Sequence, residues 1–191
     1  MSNKRIGLLG GTFNPPHLGH LAMATAALQE QVVDRVWLLP CWKHAFGKEP
    51  IPFDHRAEMC RWMVRDFPDI FVCTAEQEIK ADCSVKILRY IARQYPNKTF
   101  NLILGTDNYE KMDLWNDKEE VVSLAPPIWV ARPGTKIDEE TISCNYNVSS
   151  TAIRELLKTP QGQFTIAINR MMSSEVYGYI LKHNLYGIKS A

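Results

Sequence analysis

Nowhere does the chain carry the roughly 18 or more consecutive apolar residues that a membrane-spanning helix needs. The opening MSNKRIGLLGG breaks its apolar run on glycine, so neither such a helix nor a signal peptide is expected there. An excess of one charge is missing too. Lys plus Arg number 22 against 21 for Asp plus Glu, a formal net charge of +1. That excludes a blanket attraction to nucleic acid or to an anionic membrane, and any bound anion needs a local site. The five cysteines, Cys41, Cys60, Cys73, Cys83 and Cys144, include no C-x-x-C pair and no cysteine–histidine spacing of a zinc site. Reduced thiols in the cytoplasm are expected rather than a disulfide framework. Two familiar phosphate-binding patterns are absent as well: there is no GxxxxGK[ST], and GLLGGT is not a GxGxxG. Neither a P-loop ATPase nor a dinucleotide-dependent dehydrogenase is supported. No fixed-period repeat, low-complexity tract or linker breaks the chain, so one domain over residues 1–191 is expected.

What is present reads as an ordinary globular composition, 46% hydrophobic and 23% charged, in a chain long enough for one well-packed core. Short apolar runs at 5–9, 35–39, 70–74, 99–104 and 128–131 alternate with helical patterns at 17–31, 54–67, 84–94, 117–124, 149–158 and 174–183. Most of the runs are apolar on both faces, which suits strands of a parallel sheet covered on both sides. The expected fold is α/β, a Rossmann-like doubly wound parallel sheet closed by C-terminal helices. The polar segment 134–148 has room for one more short strand.

Ligands of such sheets sit beyond the carboxyl ends of the strands, where helix N-termini converge. The residues that follow four of the runs are GGTFNPPHLGH, PCWKHAFGK, GTDN and ARPG, which gather glycine, histidine, lysine, arginine and aspartate on one edge. In the first of these, Gly10 and Gly11 permit a tight turn and a close ligand approach, and Pro15 and Pro16 stiffen the exit. His17 and His20, three apart on the first turn of the next helix, present both imidazoles on one face, beside an N-terminus that favours negative charge. Preorganised donors of this kind suit a phosphate whose charge grows during nucleotidyl transfer. Elsewhere Ser149, Ser150, Thr151 and Arg154 start a helix with hydroxyls and a guanidinium, fitting either an anion site or a capped surface helix. Lys43, His44 and Lys48 form a basic loop, and Trp115 is either core or a platform for an electron-poor ring.

GGTFNPPHLGH resembles the GxFxPxHxGH signature of the HxGH nucleotidyltransferases. With FDHRAEM, LGTDN followed by LW, ARPG, VSSTAIREL and the closing VYGYILKHNLY, the chain is similar to the nicotinate or nicotinamide mononucleotide adenylyltransferases from Ile6 to Tyr186. That resemblance implies an enzyme of pyridine nucleotide biosynthesis that joins the AMP moiety of ATP to the mononucleotide by in-line attack on the α-phosphate and releases pyrophosphate. It implies His17 and His20 as the catalytic pair. Gly10, Gly11, Thr12, Phe13, Gly105 and Asp107 would lie on ATP, and Ser149, Ser150, Thr151 and Arg154 on its β- and γ-phosphates. Phe13, Asn14, Lys43, His44, Lys48, Ser84, Trp115 and Arg132 would meet the mononucleotide. Mg²⁺ is inferred from the ATP chemistry, with no dedicated metal site. Asp82, Cys83 and Ser84 stand where many nicotinate-specific enzymes read SYT, and an acid near the ring leans slightly toward the amide, with both substrates left open. A cytidylyl or pantetheine-phosphate transferase and a non-catalytic nucleotide sensor are the alternatives. A homo-oligomer is compatible with the sequence.

Overall fold

A computed structural model describes residues 4–43, 50–131, 141–144, 146–159 and 166–188. Its centre is a six-stranded sheet in the order β3-β2-β1-β4-β5-β6, parallel throughout. The strands are β1 (Lys4–Gly11), β2 (Arg35–Pro40), β3 (Ile70–Val72), β4 (Lys98–Gly105), β5 (Pro127–Ala131) and β6 (Ile142–Ser143). The order reverses direction between β1 and β4, and such a reversal opens a crevice at the carboxyl edge because the connecting helices diverge to opposite faces there. The doubly wound expectation is met, and the short strand foreseen within 134–148 is β6.

Each face of the sheet has its own apolar layer. Alternation along β1 sends Leu9 to one side and Ile6 and Leu8 to the other. On the Leu9 side lie α1 (Leu18–Gln29), α2 (Phe53–Val64), α6 (Ser150–Leu157) and α8 (Ser174–Lys182), which bury Met23, Met59, Ile153 and Ile180 among others. On the Ile6 side, α4 (Ser84–Gln94) turns Val85, Ile87, Leu88 and Ile91 inward and leaves Lys86, Arg89 and Arg93 in water. Each of those buried aliphatic side chains contributes roughly 1.5–3 kcal/mol of transfer free energy. α5 (Lys118–Leu124) completes that layer with Val121. No helix among the described residues is long and apolar enough to cross a membrane.

Several short elements go beyond the periodic reading. They are α3 (Ala75–Ile79), 3₁₀ turns at Thr106–Asn108, Glu110–Leu114 and Leu185–Gly187, and α7 (Ile166–Asn169). Elements of three to five residues are too short to establish a period, so only tertiary contact makes them regular. The third strand stops at Val72 rather than Thr74, because the chain turns there into α3.

Candidate functional site

The site is built outward from the end of β1. Gly10 and Gly11 do not form the turn expected of them: both are still in the strand, paired with Leu39 and Pro40 of β2. A Cβ on Gly10 would meet nothing within 4 Å, so its strand edge faces open space at the mouth of the crevice. The turn falls instead on Phe13, whose φ of 49° lies in the left-handed region. The Phe13 ring is buried, against Gly11 and 4.6 Å from the His20 ring, so only its backbone can meet a ligand. The Asn14–Pro15 peptide bond is cis.

His17 is not on the helix proper. It is the N-cap of α1, with extended backbone (φ −150°, ψ 168°), and the helix starts at Leu18. The two imidazoles meet nonetheless, stacked with centroids 3.7 Å apart and planes 21° from parallel. They are not equivalent, since His17 is only 4% exposed while His20 is half-buried. The His17 backbone N–H donates to Nδ1 of His20 at 3.2 Å. An Nδ1 that accepts places the ring proton of neutral His20 on Nε2, as a donor at the other end of the ring.

The N-terminus of α6 is stitched to this loop. Ser149 caps the helix by accepting from the Ala152 N–H at 3.2 Å. The Ser150 hydroxyl donates to the Pro15 carbonyl at 2.8 Å, and Arg154 donates to the Asn14 carbonyl at 2.7 Å and to the Thr151 hydroxyl at 3.1 Å. Arg154 thus uses part of its five-donor fork to hold the loop and the helix start together. Ser150 is committed to the fold through its hydrogen, which qualifies its expected role as a phosphate donor.

Beside the loop, a cavity of about 280 Å³ opens at the carboxyl ends of β1, β2 and β4. Gly10, Gly11, Thr12, Lys43, Ser84 and Trp115 line it together, as expected of a ligand site, and so do Cys41, Glu76, Asp82 and Asn108. Gly105 lies at the end of β4, where a Cβ would come within 2.5 Å of Asp107 Oδ1; the missing side chain lets that carboxylate fold over the strand end. Asp107 itself is exposed. His44, Lys48 and Arg132 lie outside the described residues.

Asp82 carries less weight than its charge suggests. Its carboxylate is paired with Lys86 at 2.8 Å, and this hydrogen bond lowers its pKa. A countered acid repels a substrate carboxylate weakly, which removes the basis of the lean toward the amide.

Three groups escaped the sequence reading as site-builders. Arg56, 1% exposed, donates to the Thr12 carbonyl at 2.8 Å and to the Ile51 carbonyl at 3.0 Å, and so ties α2 to the site loop. Tyr186, from the last 3₁₀ turn, donates to Asn14 Oδ1 at 2.9 Å. Glu76 of α3 accepts the Trp42 backbone N–H at 2.8 Å, and burial pushes its carboxyl up to about 7. The signal for Glu76 lies in CTAEQE at the exit of the third strand, which brings an acid to the same sheet edge as the other four strand exits. Among the described residues no group of three or more His, Cys, Asp or Glu stands close enough to hold a metal ion.

The chain is similar to known proteins over most of its length. The cytidylyltransferase-like family model matches residues 8–156. A protein of Anaeromyxobacter dehalogenans named as a probable nicotinate-nucleotide adenylyltransferase is 43% identical over 135 residues, 69% of this chain and 72% of that protein. One of Myxococcus xanthus with the same name is 32% identical over 188 residues, 97% of this chain and 96% of its own. The solved structure of Plasmodium falciparum nicotinic acid mononucleotide adenylyltransferase complexed with NaAD shares the fold, with a TM-score of 0.83 over 99% of this chain and 100% of that one at 22% identity.

Proposed function

The chain belongs to the cytidylyltransferase-like family and, within it, to the nicotinate-nucleotide adenylyltransferases, and from that membership we propose how its residues carry out adenylyl transfer. The enzyme joins AMP from ATP to a pyridine mononucleotide. An oxygen of the mononucleotide 5′-phosphate attacks the α-phosphorus of ATP in line, the bond from that phosphorus to the bridging oxygen breaks, and pyrophosphate leaves. No covalent enzyme intermediate is needed. Such a reaction depends on positioning and on donors aimed at developing charge.

The observation that carries the reading is the stacked His17–His20 pair, set at the end of β1 and sewn through Asn14 and Pro15 to the start of α6. His20 is assigned the α-phosphate, its Nε2–H donating to an oxygen that gains charge as the bond breaks. His17 backs the ring and holds its tautomer through the backbone N–H. Thr151, the backbone amides at the start of α6 and the remaining Arg154 donors are assigned the β- and γ-phosphates, with Ser149 holding that helix start in place. Gly10, Gly11 and Thr12 pass beneath the nucleotide, and Asp107 is placed near the adenosine ribose. The cavity receives the mononucleotide, with Trp115 stacking on the pyridine ring, Ser84 and Lys43 on its walls, and Asn14 near the attacking phosphate. Mg²⁺ is proposed to arrive with the triphosphate, where it would neutralise phosphate charge.

Nicotinate mononucleotide is the proposed substrate. The relatives carry that name, and the acid thought to oppose it is paired with Lys86. Five free thiols, two of them buried, fit the reducing cytoplasm as the place of reaction. Incubation with MgATP and each mononucleotide, followed by detection of pyrophosphate and dinucleotide, tests the reading. Faster formation of the nicotinate product is expected, and no product from either mononucleotide would overturn it.

A further inference from the structure

The cavity wall carries two acidic side chains that the transfer chemistry leaves unused, Asp82, which is paired with Lys86, and Glu76. Glu76 sits on α3, where its Oε2 accepts the Trp42 N–H at 2.8 Å on the loop that carries Lys43. It shares the cavity wall with Trp115, Ser84 and Cys83. Unlike Asp82, it makes no ion pair with a lysine among the described residues; the cation whose charge acts on it is Arg56, whose donors go to the carbonyls of Thr12 and Ile51. A carboxyl group left without a close counter-ion on an otherwise largely apolar wall responds strongly to whatever polar group is brought against it.

Resting on the mononucleotide reading of this cavity, we propose that Glu76 is a specificity-determining residue, whose carboxyl group reads the acid or amide substituent of the bound pyridine ring. Protonated, it offers an O–H to the nicotinate carboxylate. Ionised, it repels that carboxylate and accepts from the N–H₂ of the nicotinamide. Because burial brings its titration to about 7, the two states interchange near neutral pH. Among the described residues, Arg56 from α2, Cys41 beyond β2 and Cys73 beyond β3 interact with it electrostatically, and Lys43 beyond β2 and Asp82 before α4 share its cavity. Burial raises the pKa of both Cys41 and Cys73, so their thiols stay neutral over this range.

As pH rises through about 7 the protonated form is lost, so preference for the acid over the amide falls. The ratio of the two kcat/KM values isolates this effect, because titration of the histidines, of ATP and of the shared 5′-phosphate cancels in it. From about pH 6 to about pH 8.5 the acid-to-amide ratio should fall roughly tenfold in the native enzyme and stay flat in Glu76→Gln, whose amide does not titrate. A ratio independent of pH in the native enzyme, or a slope that persists in Glu76→Gln, overturns the proposal. An equal rise of KM for both mononucleotides in the variant, at an unchanged ratio, would mark Glu76 as a support for the Trp42 loop only and likewise overturns it.

Should Glu76→Gln fail to fold, calorimetry on the native enzyme decides. Near pH 7, in two buffers of different ionisation enthalpy, nicotinate mononucleotide should bind with more proton uptake than nicotinamide mononucleotide. Equal proton counts refute the inference. This binding measurement stands apart from turnover, so a failure of the activity assay and a failure of the Glu76 assignment are told apart.

Discussion

Tyr186 donates its hydroxyl hydrogen to Oδ1 of Asn14 at 2.9 Å, across 172 positions of sequence. Burial raises the phenol pKa, so the group remains a donor throughout the working range. The bond orients the Asn14 amide and leaves its N–H₂ for the site, while Arg154 holds the Asn14 carbonyl from the other side. Tyr186→Phe keeps the packing and removes the donor. It should cost about 1 kcal/mol in urea unfolding and lower kcat/KM several-fold. A variant with unchanged kcat/KM would reduce the contact to a surface tie.

His20→Ala removes the donor assigned to the α-phosphate. Turnover should fall about a hundredfold or more. Stability should fall by only about 1 kcal/mol, for the lost acceptor of the His17 N–H. Steady-state rates set beside a denaturation curve check this, and parallel losses of stability and activity would make His20 a scaffold residue. His17, the more buried ring, should cost more stability when truncated.

Trp115→Ala should chiefly raise KM for the mononucleotide, by tenfold or so, because stacking on an electron-poor ring is lost from the cavity. Kinetics with each substrate varied in turn separate the outcomes. A KM left as it was would show the indole to be ordinary packing.

Arg56 is buried with its guanidinium on the Thr12 and Ile51 carbonyls. Arg56→Lys retains the charge but loses the planar fork, so it should destabilise by roughly 2 to 4 kcal/mol in chemical denaturation. A loss under about 0.5 kcal/mol would show that the loop does not depend on it.

Glu76 links stability to pH. Its folded carboxyl titrates at about 7 against 4.5 for the ordinary group, so between those values the folded protein holds a proton that the unfolded chain has released. Stability therefore falls as pH rises through that window, by at most about 3 kcal/mol. Glu76→Gln should unfold at higher denaturant than the native protein above about pH 7, and the gap should close near about pH 4.5. Parallel stability curves for the two proteins would contradict the burial of this carboxyl.

The residue pattern alone determined the layered parallel sheet, because runs apolar on both faces can be satisfied only between two helical layers. Local chemistry likewise marked GGTFNPPHLGH and SSTAIREL, since glycine, proline, capping hydroxyls and paired imidazoles declare a loop and a helix start within a few residues. Tertiary structure decided the rest. The stacking of His17 on His20 depends on His17 standing outside the helix as its cap, and the ties from Arg154 and Tyr186 to Asn14 close loops of 140 and 172 positions. Arg56 and Glu76 look like exposed charges in sequence, and only the full burial of one and the partial burial of the other near the strand ends makes one a brace and the other a near-neutral acid. Burial and long-range pairing belong to the packed chain as a whole, and no local window contains them.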